Sequence, residues 1–92
     1  MKKRLEAKIT GRVQLVMFRD FVERNAKKLR LVGFVRNKED DSVEVVAEGE
    51  EEALRDLEQK LWKGAVLSRV EKVDTQYSEA KSEFRYFEIR YD

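Results

Sequence analysis

The chain has 92 residues, with 20 Lys and Arg against 19 Asp and Glu for a formal net charge of +1. That length suits one domain, and the near balance of charge argues against a dedicated nucleic-acid binder. Cys and His are both absent, which excludes disulfides, thiolate chemistry, imidazole bases and the commonest zinc ligands.

Leu5, Ala7, Ile9 and Val13 fall on odd positions between mostly polar residues, which predicts a strand with one buried face. From Phe18 the spacing changes, and Phe18, Phe21, Val22, Ala26 and Leu29 follow the three-and-four period of an amphipathic helix. Leu31 to Arg36 reads as a second strand around Gly33, and the polar run from Lys38 to Ser42 as a turn. Val43, Val45 and Ala47 alternate as a third strand, with Val46 as the exception and Gly49 as its stop. Glu50, Glu51 and Glu52 suit the amino end of a second helix, solvated and favoured by the helix dipole rather than arranged for a metal. Its apolar stripe is Ala53, Leu54, Leu57, Leu61 and Trp62, and Gly64 is the expected carboxyl cap. Val73, Thr75 and Tyr77 suggest a fourth strand, Ser78 to Glu83 a polar loop, and Phe87, Ile89 and Tyr91 a short closing strand. Phe18, Phe21, Phe34 and Trp62 read as core, and Gly11 as the mark of a bulge.

The order β-α-β-β-α-β predicts an α+β, ferredoxin-like split βαββαβ sandwich. Two helices lie on one face of an antiparallel sheet, a short extra strand follows, and residues 1–92 form a single domain. No apolar run approaches the roughly 20 residues needed to span a bilayer. The basic residues 1–4 are not followed by an apolar stretch of signal-peptide length, so a cytoplasmic protein is expected, with no membrane and no nucleic-acid partner.

This topology has a consequence for chemistry. Strands one and two run parallel with strand three between them, so their carboxyl ends open on one sheet edge, roughly 10 Å apart. The first leads through Gln14, Leu15, Val16, Met17 and Phe18 into Arg19 and the first helix, and the second ends at Asn37. A strand-to-helix turn offers free backbone N–H groups at the positive end of a helix, which suits an anion. Arg19 can add a bidentate guanidinium contact, Asn37 can orient a water from the neighbouring strand, and Arg12 and Arg36 raise the local positive potential.

The pattern Gly11-x-Val13-Gln14-x-Val16-x-Phe18-Arg19, then Gly33-x-Val35-x-Asn37 and Ser42-Val43-Glu44-Val45, resembles the acylphosphatase family. The resemblance continues through Ala47-Glu48-Gly49 and Gly64 to Phe87-x-Ile89, nearly the whole chain. It implies a hydrolase for the mixed anhydride of a carboxylic acid and phosphate, with inorganic phosphate as product and neither cofactor nor metal. It also implies that the backbone amides of Gln14, Leu15, Val16, Met17, Phe18 and Arg19 cradle the phosphate. Arg19 and Asn37 are then the catalytic pair. Such chemistry suits a chain without His or Cys, because the leaving carboxylate is a weak base and needs little help from a general acid.

Leu15 stands where the family prefers Gly, and a positive φ there would cost about 1–2 kcal/mol. Asp41 stands where Gly is common, in a role Asp tolerates, and Ala65 replaces a frequent Pro. Leu15 motivates an alternative, a ferredoxin-like module that keeps the anion cradle but has weakened turnover. An RNA-binding sheet of the same topology is a further rival, disfavoured by the charge balance and the missing aromatic signature.

Overall fold

The computed structural model describes residues 1–14 and 17–91, and the expected order of elements is present in them. They are β1 (Lys2–Arg12), α1 (Phe18–Lys28), β2 (Val32–Asn37), β3 (Val43–Glu50), α2 (Glu51–Lys63), β4 (Arg69–Glu79) and β5 (Phe87–Arg90). The sheet order is β4-β1-β3-β2-β5. The β1–β3, β1–β4 and β2–β3 pairs are antiparallel, whereas β5 joins β2 in parallel and makes the sheet mixed. The fold is the ferredoxin-like α+β sandwich read from the sequence, with the fifth strand added at the β2 edge.

The alternation in β1 does what a period of two requires. Leu5, Ala7, Ile9 and Val13 are all buried, and they face α1 and α2 together with Val35, Val43, Val45 and Ala47. From α1 the core takes Phe18, Val22 and Ala26, and from α2 Leu54, Leu57 and Leu61. α1 packs on β2 and β5, while α2 covers β1, β3 and β4. Beyond Thr10 the pairing of β1 with β4 slips by one residue. Gly11 permits this bulge, since it has φ +128° and a Cβ there would collide with the Arg69 carbonyl oxygen. Gly64, at φ +74°, ends α2 and donates its N–H to the Lys60 carbonyl at 2.9 Å.

Four local expectations are corrected. Trp62 is 49% exposed, because it follows Leu61 by about 100° around the helix and so leaves the stripe that faces the sheet. Phe34 lies on the sheet face opposite the helices, in edge contact with Phe84 at 5.9 Å and under the Arg90 guanidinium at 4.0 Å. Gly49 does not stop β3, which continues to Glu50. Ser78 and Glu79 belong to β4, so the loop after it begins only at residue 80.

That loop performs the fold's longest crossing, from the β4 edge of the sheet to the β2 edge. It runs over the face without helices and is clamped there by a buried ion pair. Arg4 (6% exposed) donates from Nε to Glu48 Oε2 (4% exposed) at 2.9 Å, and the two residues are register partners on β1 and β3. Glu48 also accepts the backbone N–H groups of Lys81 at 2.9 Å and Ser82 at 3.0 Å. Arg4 reaches Glu83 at 2.5 Å and lies over the Phe84 ring at 5.3 Å. Burial opposes the charge on Glu48, but the Lys81 N–H, the Arg4 guanidinium and the Ser82 N–H hold its carboxyl below the ordinary 4.5.

A depressed carboxyl pKa means that the unfolded chain takes up its proton first as pH falls. The clamp's contribution is therefore full above about pH 5 and is lost as pH drops through the folded-state value. Thermal melts should show a midpoint that falls on acidification below about pH 4. Glu48→Ala should cost about 3 kcal/mol at neutral pH, because it removes the buried partner of Arg4, leaving only the more exposed Glu83 and Glu6, and the acceptor of the Lys81 and Ser82 N–H groups. Denaturant unfolding of the variant checks this.

Candidate active site

The site is built where β1 turns into α1. Met17 caps the helix in a left-handed conformation (φ 59°, ψ 29°) and supplies no side-chain hydrogen bond to it. The first helical bond runs from the Phe21 N–H to the Met17 carbonyl at 3.1 Å. Helix geometry leaves the amides of Phe18, Arg19 and Asp20 without intrahelical acceptors, at the positive end of the dipole. Gln14, Met17, Phe18, Arg19 and Asp20 line a cleft of about 300 Å³ together with Ile89 and Tyr91 from the chain's last stretch. That volume sits at the lower end of the range for small-molecule sites. The Arg19 guanidinium lies over the Tyr91 ring at 4.8 Å from its centroid.

Gln14 links this cleft to the neighbouring strand. Its Nε2 donates to the carbonyls of Lys38 and Ser42, both at 2.8 Å. Those residues bracket the β2–β3 turn, which closes on itself through the Lys38 N–H to the Ser42 carbonyl at 2.8 Å. Asp40 stiffens the same turn by accepting from the Ser42 hydroxyl and, at 3.1 Å, from the Ser42 N–H. It also pairs with Lys8 at 2.9 Å. These partners, the Ser42 hydroxyl first and then Lys8, push the Asp40 carboxyl well below the usual carboxylate range. Asp41 takes φ +70°, the left-handed conformation its side chain tolerates.

Asn37 is the residue before this turn and the last of β2, in register with Val43. Its Oδ1 is buried and has no hydrogen-bond partner among the described residues. A buried acceptor left in that state costs about 1–3 kcal/mol, so its retention calls for a polar group to meet it.

Of the predicted site residues, Gln14, Met17, Phe18 and Arg19 share the cleft, while Asn37 is not among its lining residues and stands beside the turn that Gln14 grips. Leu15 and Val16 lie outside the described residues, and with them the question of backbone conformation at Leu15. Arg36 is engaged with Glu44 at 2.6 Å on the open face, so part of its charge is answered there. Two contributors escaped the sequence reading, the Gln14 side chain and Tyr91. The direction of β5 was the available signal for the second.

A family model described as Acylphosphatase matches residues 5–89. An acylphosphatase of Salinibacter ruber is 45% identical over 97% of this chain and 94% of its own length. One of Deinococcus radiodurans is 50% identical over 83% of this chain and 87% of its own length. The crystal structure of acylphosphatase from Bacillus subtilis superposes with a TM-score of 0.93 at 35% identity, covering 97% of this chain and 99% of that one. The chain belongs to the acylphosphatase family. It is an enzyme that hydrolyses acyl phosphates to a carboxylate and inorganic phosphate. Nothing in these likenesses supports the alternative of an anion-binding module with weakened turnover. Among the described residues no helix is long and apolar enough to cross a membrane.

Removing the Gln14 strap should loosen the cradle relative to Asn37 without unfolding the sheet. Gln14→Ala should lower kcat/KM by roughly 5- to 30-fold, equivalent to about 1–2 kcal/mol for the two lost bonds. Gln14→Glu should be worse, since a carboxylate faces two carbonyl oxygens. Steady-state hydrolysis of benzoyl phosphate and circular dichroism check both.

Proposed function

We propose that the amides of residues 14–19 and the Arg19 guanidinium hold the phosphate of the substrate, and that Asn37 orients the attacking water. The reading takes residues 1–92 as one catalytic domain working in the cytoplasm. The observation that carries it is a pairing of opposites. An open helix start with an Arg in its first turn suits an oxyanion, and the Asn37 carboxamide oxygen at the end of the parallel strand, buried and without a hydrogen-bond partner among the described residues, suits a water's O–H.

The chemistry then balances with few parts. The water oxygen attacks phosphorus while Asn37 Oδ1 accepts one of its hydrogens and fixes its direction. The bond between phosphorus and the acyl oxygen breaks, and its electron pair leaves on the carboxylate. The water's surplus proton passes to phosphate or solvent. In this reading the negative charge on the phosphoryl oxygens is met by the amides and the Arg19 guanidinium, and donors fixed by the fold cost little reorganisation during the reaction. Because the carboxylate leaves unprotonated, the lack of His or Cys costs the reaction little.

Losing one such donor typically removes about 3–4 kcal/mol of transition-state stabilisation. Arg19→Ala and Asn37→Ala should therefore each lower kcat/KM on an acyl phosphate by roughly 10²–10³ with an unchanged melting curve. Wild-type-like turnover by either variant overturns the assigned role. Turnover should also be indifferent to added chelator, measured as ultraviolet hydrolysis of benzoyl phosphate before and after treatment.

A further inference from the structure

The turn between α2 and β4 presents apolar side chains where a turn ordinarily presents polar ones. Gly64 ends the helix, and the chain then closes a β-turn over residues 65–68, held by the Ser68 N–H donating to the Ala65 carbonyl at 3.0 Å. The Ser68 hydroxyl donates to the same carbonyl at 2.7 Å. The corner positions of such a turn favour Pro, Asp, Asn, Ser or Gly. Here they hold Val66, 98% exposed, and Leu67, 74% exposed, while Trp62 in the last turn of α2 is half exposed. Because the turn is closed by its own bonds, the two corner side chains are held out from the core.

Cations surround this tip. Residues 59–70 contain Lys60, Lys63 and Arg69 and no Asp or Glu. Arg69 is the register partner of Arg12 across β4 and β1, and like charges directly opposite each other are unfavourable. Among the described residues neither arginine nor Lys63 has an ion-pair partner.

We propose that this turn docks on anionic lipid bilayers as a peripheral contact. Val66 and Leu67 enter the boundary between headgroups and acyl chains, and Lys63, Arg12 and Arg69 meet headgroup phosphates. The Trp62 indole suits the headgroup level. Such a contact needs no spanning helix. A few exposed apolar side chains fall well short of the about 20–30 residues that each side of a standard protein interface supplies, and a second copy would set like charges against each other. A bilayer accepts a small apolar tip and answers the cations together. Since β1 ends at Arg12, docking brings the sheet edge that carries the catalytic loop towards the lipid surface.

The test is sedimentation of the protein with vesicles of phosphatidylcholine alone and of equal parts phosphatidylcholine and phosphatidylglycerol, read together with the emission of the chain's single Trp. Binding should require the anionic lipid, shift the Trp62 emission to the blue and weaken as salt is added. Leu67→Ser should lower the affinity roughly 10-fold and Lys63→Gln roughly 5-fold, with hydrolysis of benzoyl phosphate in free solution unchanged. Equal binding to both kinds of vesicle, no binding at low salt, or full binding by Leu67→Ser overturns the proposal. So does a dimer in analytical ultracentrifugation that Leu67→Ser abolishes, found without vesicle binding, which assigns the turn to a second copy.

Discussion

Three strands that run the same way decide what this sheet can hold at its edge. β1 and β2 are parallel because β3 is inserted between them, antiparallel to each. β5 is parallel to β2 for a related reason. β4 runs antiparallel to β1 and therefore ends at the opposite edge from the site. A crossing along that far edge can only be followed by a strand that runs back. The carboxyl ends of β1, β2 and β5 thus deliver the loop before Arg19, Asn37 and Tyr91 to one side of the molecule. The clamp of Arg4 and Glu48 on residues 81–83 acts at the far end but secures this delivery, since it fixes the segment from which β5 departs. A buried pair of this kind adds little net stability over a hydrophobic replacement. Its value here is that it specifies one path for the crossing.

Chemistry without a titrating centre follows from the same economy of parts. Guanidinium, carboxamide and backbone amide do not change protonation near neutrality, and none can serve as a general base. They can stabilise charge and hold a direction, which is sufficient when the bond to be broken is an anhydride. The precision then depends on how firmly the loop and the turn are tied together. Gln14 does this with two bonds to carbonyls that flank the turn next to Asn37. Asp40 and Ser42 keep that turn from opening.

Much of this was legible before any coordinates, because period-two burial in Leu5, Ala7 and Ile9 and helical spacing in Leu54, Leu57 and Leu61 leave little choice of face. What the pattern cannot carry is which face a neighbour covers. Phe34 is apolar in an apolar run, yet it points away from the helices, where residues 80–86 provide Phe84 as its partner. Trp62 continues the apolar count of α2 but lies one residue beyond the packed stripe. At the site, the family pattern singled out Arg19 and Asn37, of which the cleft lining includes Arg19. The Gln14 side chain was not, since its acceptors are main-chain carbonyls 24 and 28 residues away and main-chain atoms leave no mark in a sequence. Tyr91 looked like one more strand residue, and its meeting with Arg19 required knowing the direction of β5.

The two helices also differ in how their amino ends are answered, and the difference bears on what the loop is for. Neither has a side-chain cap. At α2 the Glu51 N–H finds the Met1 carbonyl at 3.2 Å, and Glu50 engages the chain's own ammonium group at 2.7 Å. At α1 the capping residue is Met17 in the left-handed region, a conformation that costs a non-glycine residue about 1–2 kcal/mol. A Ser or Asp cap at a helix start recovers about 1 kcal/mol by accepting from the same first-turn amides that the proposed site offers to phosphate. A cap and an oxyanion compete for identical donors. Forgoing the cap, and accepting the strain at Met17, leaves those donors free of a side-chain acceptor, as the proposed phosphate site requires.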